Sequence, residues 1–482
     1  MLQRILSVGG AFLCILSLSA QTLVSVKPLG SRSRSAIAED FNQPLVAFDV
    51  QCYRLLYTTR NTAGQIDTVS GLVAIPMAPT RIFPRLLYQH GTALSKTDVP
   101  SFNVFTDEES KRAWLFAGLG FVTLMPDYLG LGEDKGFHPY VHAASEAWVA
   151  ADMLRAFTTF AQSYNVHTHG QLFVTGYSQG GHASMAFHRY AESVWADEFT
   201  VTAAAHMSGP YSIGEVMRDL VLSDKVYMYP AYIPNTLIGY QGVYGDIYSS
   251  FQEVFRSQYI GNIADFESGK ISLSDLQVRL VAQLIFHELL CRPTRLFRPE
   301  YLQTIVSAPQ HPLNRALRDN NVYAWAPKAP TRLYYCSADD QVPAQNALLA
   351  LDSMLARGAA DLSAHDVKPN ANHSQCAEPA THAAIAFFLT FRVIGHVVDT
   401  EHPTVEALMA QPNPTTGFFW LRELPGPGRL DVADLSGRLR HTAHVDTPGN
   451  YSLDLSTWEN GLYFVRFYSE KGLWQGKVLL QR

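Results

Sequence analysis

The stretch Val174–Met185, VTGYSQGGHASM, places Ser178 between Gly176 and Gly180 in a Gly-Tyr-Ser-Gln-Gly turn. The apolar run LFVT precedes it and helix-forming residues follow. A strand that turns this sharply into a helix exposes the serine oxygen at the strand's end, and side chains at either glycine would collide with the turn. The following helix directs its N-terminus at the same spot, where its dipole favours developing negative charge. Glycine-rich turns also carry serines with no such task, so the reading depends on partners. A serine nucleophile needs a base, and the base needs an orienting carboxylate.

On an elbow of this type the partners follow in the order serine, acid, histidine. The run TRLYYCSADDQVP offers two acids at a strand end, Asp339 and Asp340. Asp339 is preferred as the first residue beyond the strand, with a spacing to Val342-Pro343 that suits an acid turn. The base is expected at His373 in KPNANHSQCAEPA, read as a loop between the last strand and the last helix. His382 falls inside that helix and His365 on or near the strand, so both are weaker rivals. Stabilising an oxyanion takes two preorganised N–H donors. The residue after the nucleophile, Gln179, supplies one. YQHGTALS supplies the other, with His90 and Gly91 making the turn and Thr92 donating. Asp127, in PDYLGLG, reads as a structural anchor for the neighbouring loop.

These residues need a scaffold that brings distant segments to one edge. Strand-like runs stand at FDVQCYRLLYTT and IDTVSGLVAIP, joined by an Asn-Thr-Ala-Gly turn, and then at RLLYQHGT, GFVTLMPDYLGLG, GQLFVTG, VTAAAHMSGP, TRLYYCSADD and ADLSAHDVKP. Helical spacing fills the gaps, for example over Ser145–Gln162, and a last helix follows at THAAIAFFLTFRVIGHV. That alternation predicts a mostly parallel sheet with helices on both faces. The rhythm breaks from about Tyr211 to Pro330, where tyrosines and phenylalanines crowd helical sequence. This segment reads as an insertion above the carboxyl ends of the strands, where open α/β sheets bind ligands. From about residue 410 to 482, polar and apolar residues alternate between Pro, Gly and Asn turns, as in a small β-sandwich.

The ends and the composition add bounds. Arg4, the apolar run Ile5–Leu18 and Ser19-Ala20 read as a secretory signal peptide over residues 1–20. Residues 21–45 are left as an N-terminal segment before a domain spanning 46–400. The net charge of −6 comes without a basic stripe, which argues against a nucleic-acid partner. No later apolar run is long enough to span a bilayer. The cysteines show no C-x-x-C spacing and the chain has no H-E-x-x-H, so no metal is expected.

Taken together, YQHGT, MPDYLGLGEDKGFHPYVHAASEAWVAADMLRAF, GYSQGGHAS and SADDQVP…NANHSQC resemble an α/β-hydrolase of the secretory lipase/esterase branch, from about Asp49 to Val397. The resemblance implies ester hydrolysis through an acyl-enzyme without a cofactor. It implies Ser178 as nucleophile, Asp339 as acid and His373 as base, with a helical lid over 211–330 that shapes the acyl pocket. The C-terminal stretch, PNPTTG followed by LDVADLSGRL, LDLSTWENGLYFVRF and KVLLQR, resembles the sorting domain of the type IX secretion system. It implies contact with that machinery, passage across the outer membrane of a Gram-negative bacterium, and a secreted or surface location. A small-molecule or lipid ester is the expected substrate. A serine peptidase of the prolyl-oligopeptidase or aminopeptidase type is the alternative; the short N-terminal region argues against a propeller-bearing enzyme but not against a smaller aminopeptidase. A non-enzymatic adhesin on the same scaffold is the third reading. If Asp339 and His373 approach, Cys336 and Cys376, each three residues away, come close enough for a disulfide, leaving Cys52 and Cys291 unpaired.

Overall fold

A computed structural model describes residues 23–397 and 406–482; the signal-peptide reading of residues 1–20 lies outside the described residues. The chain divides into two compact units, one ending at Val397 and one beginning at Val398.

The first unit is built on one sheet. Its strands are β1 (Leu23–Arg32), β2 (Val50–Arg60), β3 (Ile66–Pro76), β4 (Arg81–Gln89), β5 (Val122–Pro126), β6 (Thr168–Tyr177), β7 (Ala203–Met207), β8 (Thr331–Tyr335) and β9 (Leu362–Asp366). They lie in the order β1-β2-β3-β5-β4-β6-β7-β8-β9. The six strands from β5 to β9 along that order run parallel, and β1, β2 and β3 add antiparallel neighbours. Parallel strands covered on both faces carry continuous apolar runs. Accordingly Leu172, Phe173 and Val174 of β6 and Ala203, Ala204 and Ala205 of β7 are all buried. Helices Ala143–Ser163 and Gln179–Ser193 lie on one face, and Lys111–Gly118 and His373–Leu389 on the other. The β2–β3 turn is fixed by Asn61, whose side-chain oxygen accepts the N–H groups of Ala63 and Gln65 at 3.1 and 3.0 Å.

Two segments differ from expectation. The N-terminal segment joins the core: β1 pairs with β2 from Leu23 to Arg32, and a short helix, Arg34–Asp40, buries Ile37. Its mixed burial pattern, typical of an edge strand, hides it from pattern reading. His373 does not sit in a loop. It is the first residue of the last helix, which starts eight residues before the THAAIAF run because Asn372 and Gln375 form a capping box. Pro379 falls within that helix, where proline argues against helix in a sequence reading.

Between β7 and β8 lies the helical insertion, with helices at Tyr232–Tyr244, Ser257–Glu267, Leu273–Glu288, Pro299–Ser307 and Pro312–Asp319 among its elements. Leu276, Leu280 and Leu284, four residues apart on one helix face, meet Tyr240, Phe255, Tyr259, Phe297 and Tyr301 in a core of their own. A capping box of Ser272 and Asp275 starts that helix.

In the second unit, a five-stranded and a three-stranded sheet enclose Phe419, Leu421, Leu430, Val432, Val465, Phe467 and Val478. The alternation of buried and outward residues along Phe418–Leu424 and Gly461–Ser469 is that of a small β-sandwich. Because each unit has its own core, a chain ending at residue 397 is expected to keep the thermal transition of the first unit within about 2 °C, a shift that corresponds to roughly 1–2 kcal/mol in a domain of this size. Differential scanning calorimetry of the full and shortened chains checks this.

Candidate active site

Ser178 stands where β6 passes into helix Gln179–Ser193, with φ 60° and ψ −123°. A non-glycine residue in this region costs on the order of 1–3 kcal/mol and persists only where its surroundings impose it. Here they do. The Ser178 N–H donates to Met207 O at 3.0 Å, and its carbonyl accepts the Gly181 N–H at 2.8 Å. A Cβ at Gly176 would lie 2.2 Å from Gly180 O, and one at Gly180 would lie 1.9 Å from Gln89 O and 2.8 Å from His90 O. The elbow therefore packs backbone to backbone against the end of β4, which brings the His90-Gly91-Thr92 turn beside it.

His373 Nε2 lies 2.8 Å from Ser178 Oγ, and His373 Nδ1 lies 2.7 Å from Asp339 Oδ2. The other Asp339 oxygen accepts the N–H groups of Gln341 and Val342 at 3.0 and 2.8 Å, fixing the carboxylate plane. Asp339 sits in the turn after β8, four residues beyond the strand rather than directly at its end. The ring of His373 packs on Tyr177 at 5.0 Å between centroids, and the Tyr177 hydroxyl donates to the His373 carbonyl. His373 is 5 % exposed. His365 and His382 take no part: His365 Nε2 pairs with Ser363 Oγ on β9, and His382 lies within the helix.

Asp340 has a task that sequence reasoning missed. Its Oδ1 accepts the His373 N–H at 3.0 Å and its Oδ2 the Tyr229 hydroxyl at 2.9 Å, so it ties the histidine's helix start to the insertion. Burial raises its pKa, but the His373 amide and the Tyr229 hydroxyl outweigh this and hold the carboxyl below its usual range. Only the three-dimensional approach of Tyr229 distinguishes it from a solvated loop aspartate. Cys336 and Cys376 are joined, with Cα atoms 6.0 Å apart. The bond ties the acid's turn to the histidine's helix. Cys52 and Cys291 are free and buried.

Beyond Ser178, Gln179 is the first residue of its helix, so its N–H has no carbonyl one turn back to satisfy it. His90 is buried, stacked on Tyr128 at 4.2 Å, and its Nδ1 pairs with Gly91 O at 2.7 Å. Burial lowers its pKa, which keeps the ring neutral. The Thr92 hydroxyl pairs with that of Tyr140 at 2.9 Å. Asp127 is fully buried beneath this loop; it accepts from Ser70 Oγ, Ser101 Oγ and the Ser101 N–H at 2.6, 2.5 and 3.0 Å. Hydrogen bonds to a charged group are worth about 1.5–3 kcal/mol each. Three of them recover only part of the cost of taking a carboxylate out of water, and burial still pushes the Asp127 pKa up.

Ser178 and Gln179 open into a cavity beneath the insertion. Its walls are mostly apolar, among them Ile213, Met217, Leu222, Ile233, Leu237 and Phe297. Thr92 lines a second, more polar groove, with Tyr140 as the shared wall.

Sheet order, elbow and cavity define an α/β-hydrolase of the lipase/esterase type. Residues 112–396 match the family model for secretory lipases, and the chain belongs to that family. Residues 410–481 match the secretion system C-terminal sorting domain, so the protein is a secreted or cell-surface hydrolase carrying a type IX sorting domain. Among the described residues no helix is long and apolar enough to cross a membrane. The fold is similar to that of a protein from Legionella pneumophila (28 % identity, TM-score 0.68, covering 77 % of this chain and 98 % of that one). It is also similar to the rice cell wall degrading esterase LipA from Xanthomonas oryzae (26 % identity, TM-score 0.64, 76 % and 94 %). Candida antarctica lipase A in its closed state shares the fold at 16 % identity (TM-score 0.57, 77 % and 81 %). No curated protein matches the chain.

Two predictions follow from this packing. Gly180→Ala forces backbone apart at the elbow, and kcat/KM is expected to fall at least 100-fold while Gly170→Ala, with nothing within 4 Å of its added methyl, leaves it unchanged. The Asp340 carboxyl, whose folded-state pKa lies below its unfolded one, contributes stability that is present above an ordinary carboxylate pKa of about 3.9 and lost as pH falls through its lowered value. Asp340→Asn is therefore expected to flatten the acid limb of the stability profile below about pH 4, measured by urea unfolding against pH.

Proposed function

We propose that the protein hydrolyses carboxylic esters through Ser178, His373 and Asp339 and a covalent acyl-enzyme. The supporting observation is the unbroken hydrogen-bonded series Asp339–His373–Ser178, which ends at the wall of the apolar cavity.

Ser178 Oγ attacks the ester carbonyl carbon while His373 Nε2 takes its proton. Asp339 holds the ring with Nδ1–H toward its carboxylate, so that Nε2 is the free base, and stabilises the imidazolium that forms. The carbonyl oxygen gathers negative charge and is met by the Gln179 and Thr92 N–H groups, with the helix N-terminus behind them. His90 and Gly91 set the turn that presents Thr92, while Gly176 and Gly180 allow the elbow to meet it. Collapse of the tetrahedral intermediate breaks the bond to the alcohol oxygen, which leaves with the proton from His373. Water, deprotonated by the same ring, then releases the acid and regenerates Ser178.

The cavity walls suit the hydrocarbon arm of a small-molecule or lipid ester, since transfer of each CH₂ from water gains roughly 0.8 kcal/mol. The same arm gives a peptide bond no advantage, and no observation favours the peptidase reading. Hydrolysis of p-nitrophenyl esters of increasing acyl length is expected to exceed that of aminoacyl nitroanilides, and kcat/KM is expected to rise over the first several carbons. Ser178→Ala should abolish turnover, and Asp339→Asn should lower kcat by about 10⁴ by favouring the wrong tautomer. Cleavage confined to the anilides would overturn the ester reading.

A further inference from the structure

The residue that follows the nucleophile is held by a buried polar cluster that the chemistry above leaves unexplained. Gln179 is 1 % exposed, and its side-chain Nε2 donates to Glu146 Oε1 and to His138 Nε2, both at 2.8 Å. His138 can accept because its Nδ1 faces Leu129 O at 2.7 Å, and burial lowers its pKa to about 4, which keeps the ring neutral. The second Glu146 oxygen lies 2.8 Å from His182 Nδ1, and His182 Nε2 lies 2.9 Å from Asn320 O. Glu146 and His182 are 1 % and 0 % exposed. Asn320 closes the insertion: its Nδ2 donates to the Tyr244 hydroxyl at 3.0 Å, and its Oδ1 accepts the Ala143 N–H at 2.8 Å.

A buried carboxylate at a helix start is a costly way to fill space, and an apolar side chain of the same volume would be the cheaper filler. What Glu146 adds is direction. It fixes the Gln179 side chain from one side while His138 fixes it from the other, and the backbone N–H of that residue is a donor to the oxyanion. We propose that Glu146 is a positioning residue: it clamps Gln179 so that its N–H is aimed at the developing oxyanion, and through His182 and Asn320 it ties that aim to the base of the insertion. This rests on the proposed serine mechanism. The clamp acts on the transition state, in which the oxygen carries charge, and leaves ground-state binding alone, so it belongs to kcat and not to KM.

Ester hydrolysis by the full chain tests it. Loss of one oxyanion donor costs about 10²–10³ in kcat, and misalignment of a retained donor forfeits part of that, so E146A is expected to lower kcat about 10- to 100-fold with KM within about 2-fold. E146Q restores most of the loss, because its amide oxygen still accepts from Gln179 and its NH₂ can donate to His182 Nδ1 while His182 Nε2–H serves Asn320. Q179A, which keeps the backbone N–H but removes the clamp, is expected to match E146A. The double variant should be no slower than Q179A, since both act through one contact. Losses that multiply in the double variant, a loss carried by KM, or an E146A enzyme with unchanged kcat overturns the assignment. Should E146A fail to fold, Q179M answers the same question, and unchanged kcat in Q179M overturns the assignment. S178A, assayed alongside, separates the two readings. Activity that survives it removes the serine mechanism and this assignment together, whereas an inert S178A beside a fully active E146A removes only the clamp.

Discussion

The upper edge of the sheet is organised around a 2.8 Å contact between His373 Nε2 and Ser178 Oγ, atoms whose residues are 195 positions apart. A hydrogen bond of that length tolerates displacements of only a few tenths of an ångström. Three separate parts of the chain must therefore be fixed together. The elbow is wedged against β4 by its glycines. The histidine starts a helix whose first amide is held by Asp340 and whose first turn is joined through Cys376 to the end of β8. Asp339 is locked by two backbone amides in the turn after that strand. None of these constraints is catalytic, yet each removes a degree of freedom that would otherwise let the imidazole drift.

How far the sequence revealed this follows the range of the interactions. Ser178 was legible because its requirement is local: two glycines, a strand before and a helix after. His373 and Asp339 were legible only by chain order, since nothing in NANHSQC or SADDQVP alone distinguishes a base or an acid from exposed loop residues. The sheet strands with continuous apolar runs were readable for the same local reason. β1 was not, because an edge strand exposes one side and shows no clean alternation. The start of the last helix was missed because Pro379 argues against helix, while the Asn372 and Gln375 capping box argues for it more weakly in sequence than in space. The contact of Asp340 with Tyr229 and those of Glu146 were invisible for a further reason. Their partners, Tyr229 and Gln179 with His182, lie dozens of residues away, and a single carboxylate carries no local mark of what it will meet.

The insertion and the sheet share the cavity, and although the insertion has a core of its own, the apolar cluster of Tyr140, Val141 and Ile213 joins the two. The cavity's lining from Ile213 to Leu317 comes from the insertion, whereas Ser178 and Gln179 come from the elbow and Gln341 and Val342 from the acid's turn. The two sides are stitched by polar contacts at defined points: the Tyr227 hydroxyl to Gln341 O at 3.2 Å, Tyr229 to Asp340, and Asn320 to His182. Directional bonds at such points fix the register of one body on the other better than apolar contact does, because hydrogen bonds fail quickly with angle.

The separate core under the insertion has a consequence for how such a molecule can change over generations. A substitution at Leu280 or Tyr259 is felt by neighbours within the insertion, and interiors transmit strain mainly to what they touch. Drift there can reshape the hollow beside Ser178 while leaving the Ser178–His373–Asp339 contacts in register. The shape of the hollow and the geometry of the elbow are thus held in different parts of the same chain, and one can be inherited unchanged while the other is revised.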